Sequence, residues 1–144
     1  MKNVLVTNGT AELEVLEEII PYIDAMNVDL KSFSEKTYSE VLHGDLKTTK
    51  AFIERAVRSC HVELTTLIVP GMNDTEEEMI ELSCWISELK DSSGNVIGDK
   101  VPLHISRFFP RYKMSDVRAT DVSKVFRLAE IASEKLEYVY TGNC

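Results

Sequence analysis

The sequence predicts an α/β fold: an incomplete (βα) barrel, a partial TIM-barrel arc of about five mostly parallel strands with helical crossovers, forming one domain over residues 1–144. Three observations carry this. Short apolar, strand-like segments alternate with amphipathic helical ones along the whole chain. Five strand segments are too few to close an eight-stranded barrel. Polar residues collect at the carboxyl ends of the strand segments, where parallel α/β folds bind ligands. An open, doubly wound sheet is the other arrangement that the alternation allows.

The elements follow in order. NVLVTNG (3–9) reads as a short buried strand and a turn. AELEVLEEIIPYI (11–23) carries Leu13, Leu16, Ile20 and Ile23 on a helical stripe. AMNVDL (25–30) is a second strand, and Ser34 to Leu42 a short helix stopped by Gly44. KTTKAFIERAVRSC (47–60) is helical, with Phe52, Ile53, Ala56, Val57 and Cys60 on one face. VELTTLIVP (62–70), nearly continuous in apolar and β-branched residues, is expected to be a strand buried on both faces. After the turn GMND (71–74), Thr75 and Glu78 form a T-x-x-E capping-box pattern before a helix carrying Met79, Leu82, Ile86 and Leu89. DSSGNVIGDK (91–100) is a polar loop, VPLHISRFF (101–109) a fourth strand ended by Pro110, and YVYTG (138–142) a fifth. Between the last two strands lies a helix with Val122, Val125, Phe126, Ala129 and Ala132. As the outermost strand of an arc, NVLVTNG has an unpaired edge, and such edges tend to find a partner.

Composition narrows the function classes. A net charge of −8 argues against nucleic acid or an anionic membrane as the main partner. RFFPRYK (107–113) is the one basic patch and has few charges for duplex binding. No apolar run reaches the length of about 18 residues that a membrane span needs, and MKNVLVTNGT lacks the apolar region of a signal peptide. Cys60, Cys84 and Cys144 form no close-spaced motif, which fits a reducing cytoplasm and offers no metal site. A chain of this length can bury roughly 68–70% of its unfolded surface and needs no disulfide framework.

The strand ends supply the candidate site: Thr7-Asn8-Gly9, Asp29-Leu30-Lys31, Pro70-Gly71-Met72-Asn73-Asp74, and His104, Ser106 and Arg107 followed by Arg111, Tyr112 and Lys113. Asp29 and Lys31, two apart, share a face if the strand continues, so they are either a functional pair at a pocket mouth or a structural ion pair. Asn8-Gly9 is also a common turn signal, and PGMND a turn with a helix cap. His104 reads more readily as a satisfied core histidine than as a catalyst. Arg107 suits a carboxylate or phosphate, or pairs with Asp29 or Asp74 across the mouth. Trp85 and the Met79 stripe read as core.

Taken in order, VTNG, VDLKSF, HVELTTLIVPGMND, PLHISRFFPRYKM and YVYTGN resemble the radical S-adenosylmethionine (SAM) enzymes over nearly the whole chain. The nearest branch is similar to the pyruvate formate-lyase activating enzymes, and within it to the AmmeMemoRadiSam-system group, with its TTL-IPG-ND and HFSRF-P-YKM segments. The resemblance implies an oxidoreductase that cleaves SAM reductively at a [4Fe-4S] cluster to give a 5′-deoxyadenosyl radical. It implies Asp29 and Lys31 as catalytic residues. It also implies Thr7, Asn8, Asp29, Lys31, Thr66, Val69, Pro70, Arg107 and Tyr112 as contacts to SAM or its mouth. The CxxxCxxC cluster motif and the Gly-Gly-Glu motif that binds the SAM amino group are not in this sequence, which matches the family from its third strand onward. The expectation is therefore the carboxyl-terminal part of a radical SAM core, with the cluster held only by a full-length parent and this chain inactive alone. Val6 stands where the glycyl-radical activases usually carry an Asp, which favours the sister group. The parent's substrate is a protein or one the motifs do not identify. From another class comes a non-catalytic binding or assembly module, completed by homodimerisation or a partner chain at the edge strand.

Overall fold

Strands β1 (Val4–Thr7), β2 (Ala25–Asp29), β3 (His61–Ile68), β4 (Leu103–Arg107) and β5 (Val139–Gly142) form one sheet in a computed structural model that describes residues 1–144. Their spatial order is their chain order, and every neighbouring pair is parallel. Helices α1 (Leu13–Ile19), α2 (Glu35–Glu40), α3 (Leu46–Ala56), α4 (Glu76–Ser87) and α5 (Val122–Ser133) make the crossovers. Right-handed crossovers that always step the same way along a sheet lay all their helices on one face. A doubly wound sheet needs a reversal of strand order. None occurs here, so the fold is a five-stranded arc of a (βα) barrel.

Burial follows this one-sidedness with a period of two. Met26 and Val28 of β2, Val62, Leu64, Thr66 and Ile68 of β3, and Leu103 and Ile105 of β4 are buried toward the helices. They meet Leu16, Phe52, Ile53, Leu82, Ile86, Val125 and Leu128 in one continuous core. The intervening positions are half-buried or exposed. The expectation that β3 is buried on both faces is therefore corrected. Its run of β-branched residues suits either face of a strand, and composition hides the fact that Glu63, Thr65 and Leu67 all turn away from the helices.

Local chemistry sets the ends. Ser34, Asp45 and Thr75 cap α2, α3 and α4, accepting from the backbone N–H groups of Thr37, Thr48 and Glu78 at 3.2, 2.7 and 3.2 Å. Glu76, Glu77 and Glu78 fill the first turn of α4, where the helix dipole favours negative charge. The capping box is only half made, because the Glu78 carboxylate does not return to Thr75 but reaches the 32–33 segment. Pro21, in the 3-10 turn that follows α1, brings the chain to β2. The 91–100 loop is ordered by Asp91, which accepts from the N–H groups of Ser93 and Asn95 at 2.8 and 2.9 Å.

Gly98 tucks this loop against the end of α4. A Cβ there would lie 1.8 Å from the Ile86 carbonyl oxygen and 2.7 Å from the Leu89 nitrogen, and neither backbone atom can swing aside. Gly98→Ala is expected to destabilise the fold by about 3 kcal/mol, read as a drop in urea midpoint. An unchanged midpoint would show that the loop sits elsewhere.

Candidate functional site

The sheet face without helices is concave and polar. Asn27 and Asp29 of β2, Glu63 and Thr65 of β3, and His104 and Ser106 of β4 all project from it, with Tyr140 of β5 at one side and Val4 and Val6 of β1 at the other. Their side chains pair across the strands. Thr65 Oγ1 donates to Asn27 Oδ1 at 2.9 Å. Glu63 bridges two imidazoles: its Oε2 lies 2.7 Å from His104 Nε2 and its Oε1 3.1 Å from His61 Nε2. His104 also stacks on Tyr140, ring centroids 5.3 Å apart. His104 is thus a half-exposed member of the concave face and not a core histidine. The hydrogen bonds to His61 and then His104 hold the Glu63 carboxyl below its ordinary value.

Asp29 and Lys31 stand at the carboxyl rim. Lys31 Nζ donates to Asp29 Oδ2 at 2.9 Å, and both side chains keep more than a third of their surface in water. Their pairing is therefore not a costly buried ion pair. It leaves Asp29 Oδ1 and two ammonium protons free for a ligand. The backbone beneath them is clamped. The buried Asn73 amide donates to the carbonyls of Lys31 at 2.8 Å and Leu67 at 2.9 Å, and its Oδ1 accepts from Val69 N–H at 2.7 Å. Glu78 Oε1 accepts from Ser32 Oγ and Phe33 N–H, both at 2.6 Å. Lys31 N–H donates to the hydroxyl of Tyr38, whose burial pushes its pKa up. Phe33 packs on Trp85 of α4, with centroids 5.7 Å apart and the Lys50 ammonium over both rings.

The other candidates are scattered about this rim. Asn8 and Lys31 line a cavity of about 90 Å³ with Thr10, Tyr38, Leu42 and Gly44. Thr7 lies in register with buried Val28, and its Oγ1 accepts from Gly9 N–H at 3.1 Å. Thr66 is 1% exposed and faces the helices, away from the concave side. Val69 and Pro70 form the turn that Asn73 holds. Arg107 Nε donates to the Thr120 carbonyl at 2.7 Å and meets neither Asp29 nor Asp74, whose Oδ1 accepts from Gly71 N–H. Tyr112 is 87% exposed. Sequence reasoning missed Asn27, Glu63 and Thr65, although the period-two alternation held the signal. It also missed the positioning roles of Asn73 and Glu78, for which the turn and cap motifs offered a simpler use.

No three His, Cys, Asp or Glu side chains converge to hold a metal ion, and Cys60, Cys84 and Cys144 lie apart as free thiols. These residues do not fit a [4Fe-4S] cluster, which needs several cysteine thiolates brought to one place. No helix is long and apolar enough to cross a membrane.

Solved structures of other proteins share this five-stranded parallel arc. Among solved structures, a domain of the pyruvate-formate lyase-activating enzyme from Bacteroides vulgatus superposes with a TM-score of 0.80 at 12% identity, covering 99% of this chain and 82% of that one. A radical SAM methyltransferase from Sphaerobacter thermophilus gives 0.63 at 10% identity over 95% of this chain and 39% of its own. In sequence, the chain is 36% identical to the uncharacterized protein MJ0808 of Methanocaldococcus jannaschii over 99% of its own length, and it spans 40% of that relative. No protein-family model matches it.

The Glu63 bridge makes a pH-dependent contribution to stability. A depressed carboxyl pKa stabilises the fold above the ordinary value of 4.5, and this is lost as pH falls through the lower folded value. The stability difference between the native chain and Glu63→Gln should therefore shrink below pH 4.5. Denaturant melts across roughly pH 3–6, on both sides of the free carboxyl pKa, check this, and a constant difference would mean the bridge is not formed.

Proposed function

We propose that this chain is part of a radical SAM oxidoreductase of the glycyl-radical activating-enzyme type, nearest the AmmeMemoRadiSam-system group, and that its rim receives SAM. The observation that carries this is the likeness to the activating-enzyme domain over 99% of the chain, joined to a free charge pair at the mouth of the hollow. SAM carries a carboxylate, an ammonium and ribose hydroxyls. The Lys31 ammonium suits the carboxylate, the free Asp29 Oδ1 accepts from a hydroxyl or the ammonium, and Asn8 stands across the small cavity from Lys31. A cluster held by the parent would supply the one electron that cleaves SAM reductively, releasing methionine. This chain's own part is to bind and orient SAM: the Asn73 and Glu78 clamp fixes the Lys31 backbone, and the concave face from Asn27 to His104 lines the space beneath. The cluster ligands belong to a longer, cytoplasmic parent whose substrate is a protein or a molecule still to be identified. By itself the chain does not turn SAM over.

Calorimetric titration tests the assignment. SAM should bind the chain, and Lys31→Ala should weaken it by about ten-fold or more, as the loss of one charge-assisted hydrogen bond implies. Lys135→Ala, at the opposite end of the sheet, should not. Equal affinity in native chain and Lys31→Ala would remove the charge pair from the site.

A second reading rests on β1. Its outer edge has no strand partner, and Val4 and Val6 are 65% and 72% exposed beside it. A second copy or another chain adding a strand there would cover both. Light scattering at rising concentration should then show a dimer that Val6→Lys dissolves, and a strict monomer at millimolar concentration would end this reading.

A further inference from the structure

A second cavity, of about 360 Å³, opens at the other side of the rim, between the ends of β3, β4 and β5. Leu67, Arg107, Phe108, Phe109, Arg111 and Asn143 line it, with no acidic residue among them. The chain as a whole is acidic, with a net charge of −8. Arg55, Arg118 and Arg127 each pair with a carboxylate, whereas Arg58, Arg107 and Arg111 meet none. Arg107 is nonetheless fixed in place. Its Nε donates to the Thr120 carbonyl, its guanidinium lies 4.6 Å from the centre of the Phe109 ring, and Thr120 is itself tied to the Ile68 carbonyl. That leaves the outer edge of the guanidinium free. A planar cation held at one edge and on one face is ready to donate in parallel to a two-oxygen anion.

The backbone around the cavity is unusual as well. Of the three non-glycine residues with left-handed φ, two stand here: Tyr112 at 51° and Asn143 at 62°. An aromatic residue in that region costs energy that the surrounding chain must offset, and such positions cluster at ligand sites. The turn at Tyr112 lies between Arg111 and Lys113, and the Lys113 ammonium rests over the Tyr112 ring at 5.6 Å.

We propose that this cavity is an anion site, taking the phosphate or carboxylate group of a small molecule whose apolar part rests on Leu67 and Phe109. Two strand spacings, about 10 Å, separate it from the Asp29–Lys31 mouth. The proposal goes beyond the SAM reading and does not require it. In a radical enzyme, this site would hold the charged end of the substrate.

Pyrophosphate and, separately, malonate serve as probes, titrated into the chain at constant ionic strength and followed by amide chemical shifts. At least one should bind with shifts at Leu67, Phe109 and Asn143. Arg111→Gln, at an exposed position that the fold does not need, and Arg107→Lys, which keeps the charge but loses the fork, should each weaken binding about five-fold or more. Lys31→Ala and Lys135→Gln should leave it unchanged. Binding of pyrophosphate alone assigns a phosphate, and of malonate alone a carboxylate. Failure of both probes, or equal weakening by Lys135→Gln or Lys31→Ala, overturns the site. Since SAM affinity is read separately through Lys31→Ala, the two assignments stand or fall independently.

Discussion

Everything described above depends on a constraint of handedness. Parallel strands laid down in chain order, each joined to the next by a right-handed crossover, send every helix to the same side of the sheet. The helix side takes the apolar residues and becomes the core. The other side is left without cover, and a closed barrel would turn it into a lumen. Here the uncovered side holds amide, carboxylate, imidazole and hydroxyl groups that pair among themselves across strands. That mutual pairing lets so polar a surface line one side of a sheet without unsatisfied buried groups. The arc and its polar hollow are two results of one topology.

The rim then gains precision from two side chains that belong to neither the sheet nor the hollow. Asn73 uses its Oδ1 once and its Nδ2 twice to join the end of β3 and the turn after it to the turn after β2. Glu78, one turn into α4, holds the next two residues of that same segment. A buried amide leaves donors and acceptors orphaned when it is lost, each at a cost of roughly 1–3 kcal/mol. A two-residue slip of the rim would break several such bonds together. The charge pair is thus displayed on a rigid ledge, though both of its ends stay in water.

The arc was legible because its cause is periodic: apolar stripes of period 3.6 alternating with short β-branched runs need no tertiary knowledge to read. The strand ends were legible for the same reason, since Asp29, Lys31 and Arg107 follow immediately on apolar runs. The polar face was less so. Glu63 and Thr65 lie within a segment whose Val62, Leu64, Leu67, Ile68 and Val69 suggested burial on both sides, and only the absence of helices on one side decides otherwise. Thr66 shows the reverse case: adjacent to the site in sequence, it points into the core because a strand flips its side chains at each step. The role of Asn73 was illegible in principle. Its partners lie 42 and 6 residues away, and the motif that contains it already had a sufficient local use as a turn.

The packing of Phe33 against Trp85 carries a practical consequence. Trp85 is the only tryptophan in the chain, and its ring rests on the residue that ends the clamped ledge. Its indole nitrogen also reaches the Glu54 carboxylate at 3.3 Å, and a lysine ammonium sits above it. Indole emission responds to nearby charge and to the motion of stacked rings. The protein therefore carries an intrinsic optical reporter, coupled through Ser32 and Phe33 to the ammonium at the mouth. Any shift of that ledge would alter the surroundings of the one indole in the chain.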